Sequence, residues 1–434
     1  MRRFAIAVGL LAVPWVPNAA RAEEKQAPSA PTFEERLYEI LRDKGLLDDA
    51  EDRELGELLR RKKIAEAAPA PERPPSALDR VRVEYAPGEG LTIASDDGEN
   101  RLTLGFRLQT LYRYENPDDP TDRDTSSFRV RRAKLKLGGS VWRRWVKWRF
   151  QANFAPSDGP ELEDAYLHFT YWKPASMKVG QFKIPTSRQR MTSTATQLLV
   201  DRSDVTREFT PRRDQGVALY GALGDFASYA AGVFNGVAEN AGTNGNTGHR
   251  WGGRVEVTPF GAIPFDETGL DRPASPKLAL DASFWTNLDA EEDLTAAGGA
   301  DDEKVDEYAA HGGAFFAWDR FIAASAFHWR KKGPGAARFA TSTDTGWFAQ
   351  AGVFVIDRLQ LGARVERLRF DRDRYDRLAP DLDSRDRWVW GVGANVYVLG
   401  HTLKIQGDFT QRIYEMPGPN RRDEEVRVQG QLIF

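Results

Sequence analysis

The sequence predicts an all-β protein, a 16-stranded antiparallel transmembrane β-barrel with a short N-terminal helical periplasmic extension. Three observations carry this expectation. Apolar and polar residues alternate over runs of roughly 10 to 13 residues, longer than the ~5 to 6 of soluble strands and suited to a tilted membrane strand. The connections between these runs alternate between short and long. The last ten residues, Glu425 to Phe434, themselves read as a strand, with Val426, Val428, Gly430, Leu432 and Phe434 on one face. A barrel needs such a strand to pair with its first, because lipid satisfies no backbone edge.

The alternation is clearest in four places. Leu102, Leu104, Phe106 and Leu108 alternate with Thr103, Gly105, Arg107 and Gln109. Val146, Trp148, Phe150, Ala152 and Phe154 alternate with Lys147, Arg149, Gln151 and Asn153. Trp388 to Val398 and Leu403 to Phe409 repeat the pattern. One face of each run is apolar, while the other carries Lys, Arg, Gln or Asp that a soluble core would not bury unpaired. Trp142, Trp145, Tyr171, Trp172, Trp388 and Trp390 gather toward run ends, as interfacial girdles do.

By this pattern the strands fall near 100–115, 127–140, 144–156, 161–173, 176–184, 214–223, 226–236, 249–260, 276–287, 306–318, 321–331, 344–356, 358–370, 386–399, 401–414 and 424–434. Trp172 to Met177, Leu223 to Phe226, Trp318 to Phe321 and Leu399 to Thr402 are tight, as periplasmic turns should be. Asn116 to Ser126, Ile184 to Asp214, Asn287 to Asp306, Lys331 to Asp344 and Asp371 to Arg385 are long and polar, as outer loops should be. An even strand number near sixteen leaves a water-filled lumen.

The N-terminus explains how such a chain reaches that location. Arg2-Arg3, the apolar run Phe4 to Val16 and Ala20-Arg21-Ala22 form a secretory signal peptide over residues 1–22. Its removal takes three arginines and moves the formal charge from -3 to about -6. Residues 23–80 form a periplasmic extension and linker. Leu37, Ile40 and Leu41 lie on one stripe, Leu55, Leu58 and Leu59 on another, and Gly45 and Asp48-Asp49 stand between them. The barrel occupies residues 81–434. The chain has no cysteine, and no other stretch approaches the ~18 apolar residues of a membrane helix, which excludes a helical inner-membrane protein.

Two sets of cations are candidates for contact with a solute. The longest connection, Pro185 to Arg213, carries Arg188, Arg190, Arg202, Arg207, Arg212 and Arg213 against Asp201, Asp204 and Glu208. Its apolar patch, Leu198-Leu199-Val200, favours burial, so the loop is expected to fold into the lumen and narrow it. The second set comes from strand faces. If Ala133, Leu135 and Leu137 face lipid, then Arg107, Arg132, Lys134, Lys136, Lys147 and Arg149 face the lumen with no carboxylate among them. Such a wall draws anions, and Arg suits bidentate phosphate or carboxylate binding. The alternative is pairing with acids elsewhere on the wall, such as Asp164, Glu256, Glu366 or Asp408.

No His or Cys spacing indicates a metal site, phosphate-loop spacing is absent, and no cofactor is expected. Glycine tracts such as Gly391-Val392-Gly393 fall inside strands, where small residues suit close packing or curvature. His249 or His311 could serve a barrel-rim hydrolase, but nothing nearby in sequence singles either out, so an enzyme is not expected.

Arg131-Arg132-Ala133-Lys134-Leu135-Lys136-Leu137-Gly138-Gly139 resembles the phosphate-selective porin O and P family. The resemblance continues in order through Trp148 to Phe154, Leu162 to Leu167, Lys178 to Pro185 and Arg212 to Val217. It covers Gly90 to Phe434 and is strongest up to about residue 260. It implies a trimeric outer-membrane channel for phosphate or polyphosphate. The chain departs from the family where Arg188 and Arg190 follow the Lys-x-Pro segment in place of acids. A complete arginine ladder cannot be traced residue by residue.

The expected partners are therefore small anions, outer-membrane lipid, the barrel assembly machinery and two further copies of the chain, with no role for nucleic acid. Phe434 is expected to act in assembly, with its strand pairing near Leu102 to Leu111. The competing function is a structural barrel tethered through its helical extension.

Overall fold

The computed structural model describes residues 32–67, 81–118, 122–172, 174–292, 303–333, 341–371, 386–416 and 418–434. The expected signal peptide and most of the expected linker lie outside the described residues. The chain divides into two units, residues 1–76 and 77–434.

In the first unit, α1 (Phe33–Asp43) and α2 (Asp49–Ala67) form a hairpin turned at Gly45, whose φ is +61°. Thr32 caps α1 in a reciprocal box. Its amide donates to the Glu35 carboxylate at 2.8 Å, and its hydroxyl accepts from the Glu35 amide at 3.3 Å. Ion pairs Lys62–Glu34 and Lys63–Glu35 join the helices.

The second unit opens with an unexpected hairpin, β1 (Val81–Ala86) and β2 (Gly90–Ser95). Sixteen long strands follow: β3 (Arg101–Asn116), β4 (Thr125–Val141), β5 (Arg143–Asn153), β6 (Glu161–Phe169), β7 (Ser176–Lys183), β8 (Arg213–Leu223), β9 (Ala227–Phe234) and β10 (Arg250–Val257). The second half comprises β11 (Lys277–Glu292), β12 (Glu303–Trp318), β13 (Phe321–Lys332), β14 (Ser342–Ile356), β15 (Leu359–Arg369), β16 (Arg387–Leu399), β17 (Leu403–Tyr414) and β18 (Arg421–Ile433). Each pairs antiparallel with the next, and β18 pairs with β3, which closes the barrel.

The closing register runs from Glu424↔Asn116 to Ile433↔Arg107, several residues further along β3 than Leu102 to Leu111. The reason is β2, which pairs Leu91 with Leu104 and Ala94 with Arg101 and so occupies that stretch of the edge. Where the two neighbours of β3 meet, Phe434 exchanges backbone hydrogen bonds of 2.8 and 2.9 Å with Phe106. The Tyr85 ring stacks on Phe434 at 5.1 Å.

Burial is inverted relative to a soluble sandwich. On β18, Val428 is 45% exposed while Gln429 is 0%. On β17, Ile405 is 51% exposed and Gln406 1%. Apolar side chains thus cover the outside of the cylinder and polar ones its interior, as lipid on one side and water on the other require. Trp142, Tyr171, Trp172 and Trp318 are exposed at the short-turn rim. Trp347 and Trp388 pack edge to face toward the other rim.

Among the described residues, two connections enter the barrel. The β7–β8 connection carries the short helices α3 (Arg188–Met191) and α4 (Asp204–Phe209) and is almost wholly buried. Leu198, Val205 and Phe209 pack into two apolar clusters against the inner faces of β11 to β16. Glycines make the seats. A Cβ at Gly362 would come within 2.9 Å of Leu198, one at Gly393 within 2.9 Å of Leu199, and one at Gly346 within 2.8 Å of Phe209. Wall amides hold the loop backbone: Asn395 donates to the Leu198 carbonyl at 2.8 Å, Gln406 to Gln197 at 3.1 Å and Gln431 to Ala195 at 3.2 Å.

The second intruding connection, residues 258–276 between β10 and β11, rises from the short-turn rim. It meets the first loop inside, where the Glu267 amide donates to the Thr196 carbonyl at 3.0 Å and Glu267 is itself buried. Gln350 and Gln360 tie it to β14 and β15. Together the two loops fill the β10–β18 side of the lumen.

Replacing Gly362 with leucine overpacks the Leu198 seat and is expected to destabilise the barrel by about 1–3 kcal/mol. A second change, Leu198→Ala, should recover part of that loss. Heat-dependent electrophoretic migration of the folded barrel reads both; equal melting of Gly362→Leu and wild type would refute the seating.

Candidate functional site

With one side of the lumen filled, the open space lies against β3 to β8. It measures about 540 Å³ and is bounded by that wall and by the β7–β8 loop. Among the described residues, thirteen Lys and Arg side chains line it, against three carboxylates, Glu163, Asp164 and Asp201. Strand alternation explains the wall cations: Arg107 on β3, Arg132, Lys134 and Lys136 on β4 and Arg149 on β5 all point inward.

The carboxylates neutralise part of this set. Lys134 pairs with Glu163, Arg213 with Asp164 at 2.8 Å, and Arg149 with Asp164 at 3.7 Å. Asp201, on the loop, accepts from Arg131 and from Arg427 at 2.8 Å, and lies 3.8 Å from Arg132. The expectation of a strand wall free of carboxylates is thus corrected, because β6 and the loop reach in with acids. Glu256, Glu366 and Asp408 also pair, but with Arg188 and Arg254, Arg364 and Arg427 respectively, away from the six wall cations.

Among the described residues, Arg107, Lys136 and Arg202 line the space with no carboxylate ion pair, as do Lys178, Lys183 and Arg190. Arg107 donates to the Ser193 hydroxyl at 3.1 Å. Arg202 donates to the carbonyls of Gln189 and Thr192, which fix its guanidinium at the loop edge.

The other loop arginines divide. Arg188 is turned away from the space, correcting its expected place there. It donates to Glu256 at 3.0 Å, and its guanidinium lies between the rings of Phe265 and Phe315. Arg190 reaches the edge of the space but donates to the Thr206 carbonyl of α4 and to Thr210 just beyond it. Arg207 and Arg212 are half-exposed toward the long-loop end, beside Asp204 at 3.6 Å and Glu239 at 2.8 Å. Burial lifts the Glu239 carboxyl above its ordinary range, against the pull of Arg212.

Toward the short-turn end the path continues into a second space of about 710 Å³, sharing Lys136, Arg149 and Tyr166 with the first. Lys147 belongs here, with Arg101 and Arg144. At the other end, Arg113, Arg387 and Arg412 are interspersed with Asp204, Glu424 and Glu425 in a mixed-charge vestibule.

Sequence reasoning missed Lys178 and Lys183. Lys183 donates to the carbonyls of Arg190, Met191 and Thr192, each at 3.1 Å, and so anchors the end of α3. Lys178 lies over the rings of Tyr166 and Tyr220. Alternation along β7 could have placed Lys178 inward with Gly180 and Phe182. The His249 ring bonds the neighbouring Thr247 carbonyl, while His311 is buried on Asp281 beneath the loop.

Residues 102–272 match the family model described as phosphate-selective porin O and P. Porin O of Pseudomonas aeruginosa is 26% identical over 155 residues, 33% of this chain and 35% of that protein. The chain therefore spans about a third of the length of this curated relative. An anion-selective porin from Comamonas acidovorans has a TM-score of 0.54 at 11% identity, covering 77% of this chain and 100% of that one. The outer membrane channel DcaP of Acinetobacter baumannii gives 0.53 at 10% identity, over 79% and 99%. These structures share the fold. The resemblance to the phosphate-selective porin O and P family holds over residues 102–272, and the chain is a barrel of the bacterial outer membrane.

Proposed function

We propose that this outer-membrane porin is a passive, anion-preferring channel for phosphate, polyphosphate or similar small anions, working without covalent chemistry. The observation that carries the reading is the thirteen-to-three balance of cations over carboxylates in the space beside the β7–β8 loop. In a narrow channel with low-dielectric walls, such a balance concentrates anions and repels cations.

Arg107, Lys136 and Arg202 are the principal contacts in this reading: no carboxylate holds them, whereas Lys183 and Arg190 are bound to the loop and Lys178 lies over the Tyr166 and Tyr220 rings. Arg132, Arg149, Arg207 and Arg212 flank the path, and Lys147 extends it toward the periplasm. Arg188, Arg190, Lys134 and Arg213 act by holding the loop and the wall in place. Permeating anions exchange water for guanidinium donors and leave because successive cations compete for them.

The remaining parts follow the same reading: residues 1–22 direct export, residues 23–80 form a periplasmic extension, and three copies assemble. The phosphate assignment is tested by adding inorganic phosphate to a chloride-conducting planar bilayer. Phosphate should reduce the chloride current at concentrations well below those of chloride. If equimolar phosphate leaves that current unchanged, phosphate is not the solute.

A further inference from the structure

The wall facing the unpaired cations is aromatic, a feature inorganic phosphate does not need. Tyr166 on β6, Phe182 on β7 and Tyr220 on β8 all line the space. Phe182 is buried, with its ring centroid 5.8 Å from that of Tyr166 and 6.4 Å from that of Tyr220. The ammonium of Lys178 lies 4.9 Å from the Tyr166 centroid and 4.5 Å from that of Tyr220. Among the described residues Lys178 has no carboxylate ion pair, and the Tyr220 hydroxyl has no hydrogen-bond partner. Gly180, between Lys178 and Phe182 on β7, adds no side chain there.

A fully hydrated inorganic anion gains nothing from ring surface, since the cations alone supply its attraction. An anion with an acidic head and a planar apolar body gains from both. Its carboxylate accepts from Lys178, while its ring packs edge to face against Tyr166. Ring contacts of this kind persist where water weakens charge attraction, so they separate solutes of equal charge.

We infer that this shelf of Lys178, Tyr166 and Tyr220 admits and retains organic anions with a planar apolar body, aryl monocarboxylates being the simplest. The inference rests on the anion-channel reading and names a solute class for the same site.

Benzoate and acetate test it, because they carry the same charge and differ in the ring. Each is titrated into a chloride-conducting bilayer containing the full chain. Benzoate is expected to halve the chloride current at roughly five- to tenfold lower concentration than acetate. In a Tyr166→Leu/Tyr220→Leu variant the ratio of the two concentrations, measured within that one protein, should fall toward unity. Equal competition by benzoate and acetate in the wild type would overturn the shelf without any variant. A benzoate advantage that survives in the variant would overturn it as well. A wild-type channel that prefers cations would instead overturn the underlying anion-channel reading, and the shelf with it.

Discussion

Replacing Arg107, Lys136 and Arg202 together by serine is expected to lower the chloride-over-potassium preference by roughly an order of magnitude, through loss of the field these three cations focus into the pore. They are chosen for what they lack. Among the described residues none forms an ion pair with a carboxylate, so their removal strands no buried anion. Arg107 gives up its 3.1 Å contact with Ser193 of the loop, and Arg202 its bonds to the Gln189 and Thr192 carbonyls within the loop. Lys134→Ser is the contrasting variant. It leaves Glu163 buried with less positive charge beside it, so its main effect should fall on barrel stability. Zero-current potentials across a potassium chloride gradient read the first effect, and heat-dependent migration reads the second. A triple variant that keeps the wild-type preference would remove these residues from the anion path.

The second large effect concerns the β7–β8 loop. Lys183 pairs with Arg213, so a short Gly-Ser linker can close the hairpin once residues 187–210 are removed. Conductance is expected to rise several-fold, because the loop and its two apolar clusters fill one side of the lumen. Anion preference should weaken at the same time. Ions then pass farther from the wall cations, and Arg202 is gone. The wall amides that held the loop, Asn395, Gln406 and Gln431 among them, would face water and remain satisfied. Unchanged single-channel conductance would mean that the loop does not border the ion path.

The barrel was readable because its rule is local. Leu102 to Gln109 state inside and outside residue by residue, and all sixteen expected runs appear as strands with ends shifted by a few residues. The β1–β2 hairpin escaped because Val81 to Ser95 alternates too briefly on either side of Pro87-Gly88 to register. Its presence also moved the closing register along β3. The inward fold of the β7–β8 loop was signalled by Leu198-Leu199-Val200, yet the matching seats, Gly362 and Gly393, lie more than 160 residues away. Ion pairing was least readable for the same reason. Asp201 meets Arg427 across 226 positions, and Lys134 on β4 meets Glu163 on β6 across β5, where a bulge against β6 is invisible to alternation. Sequence spacing therefore identified the cations but not which of them remain unpaired.

The sign of the wild-type zero-current potential tests the central claim most directly. With the full chain in a planar bilayer between concentrated and dilute potassium chloride, stepwise currents should appear and the potential should take the sign set by chloride diffusion. A potential of the opposite sign, set by potassium, would contradict an anion path along Arg107, Lys136 and Arg202.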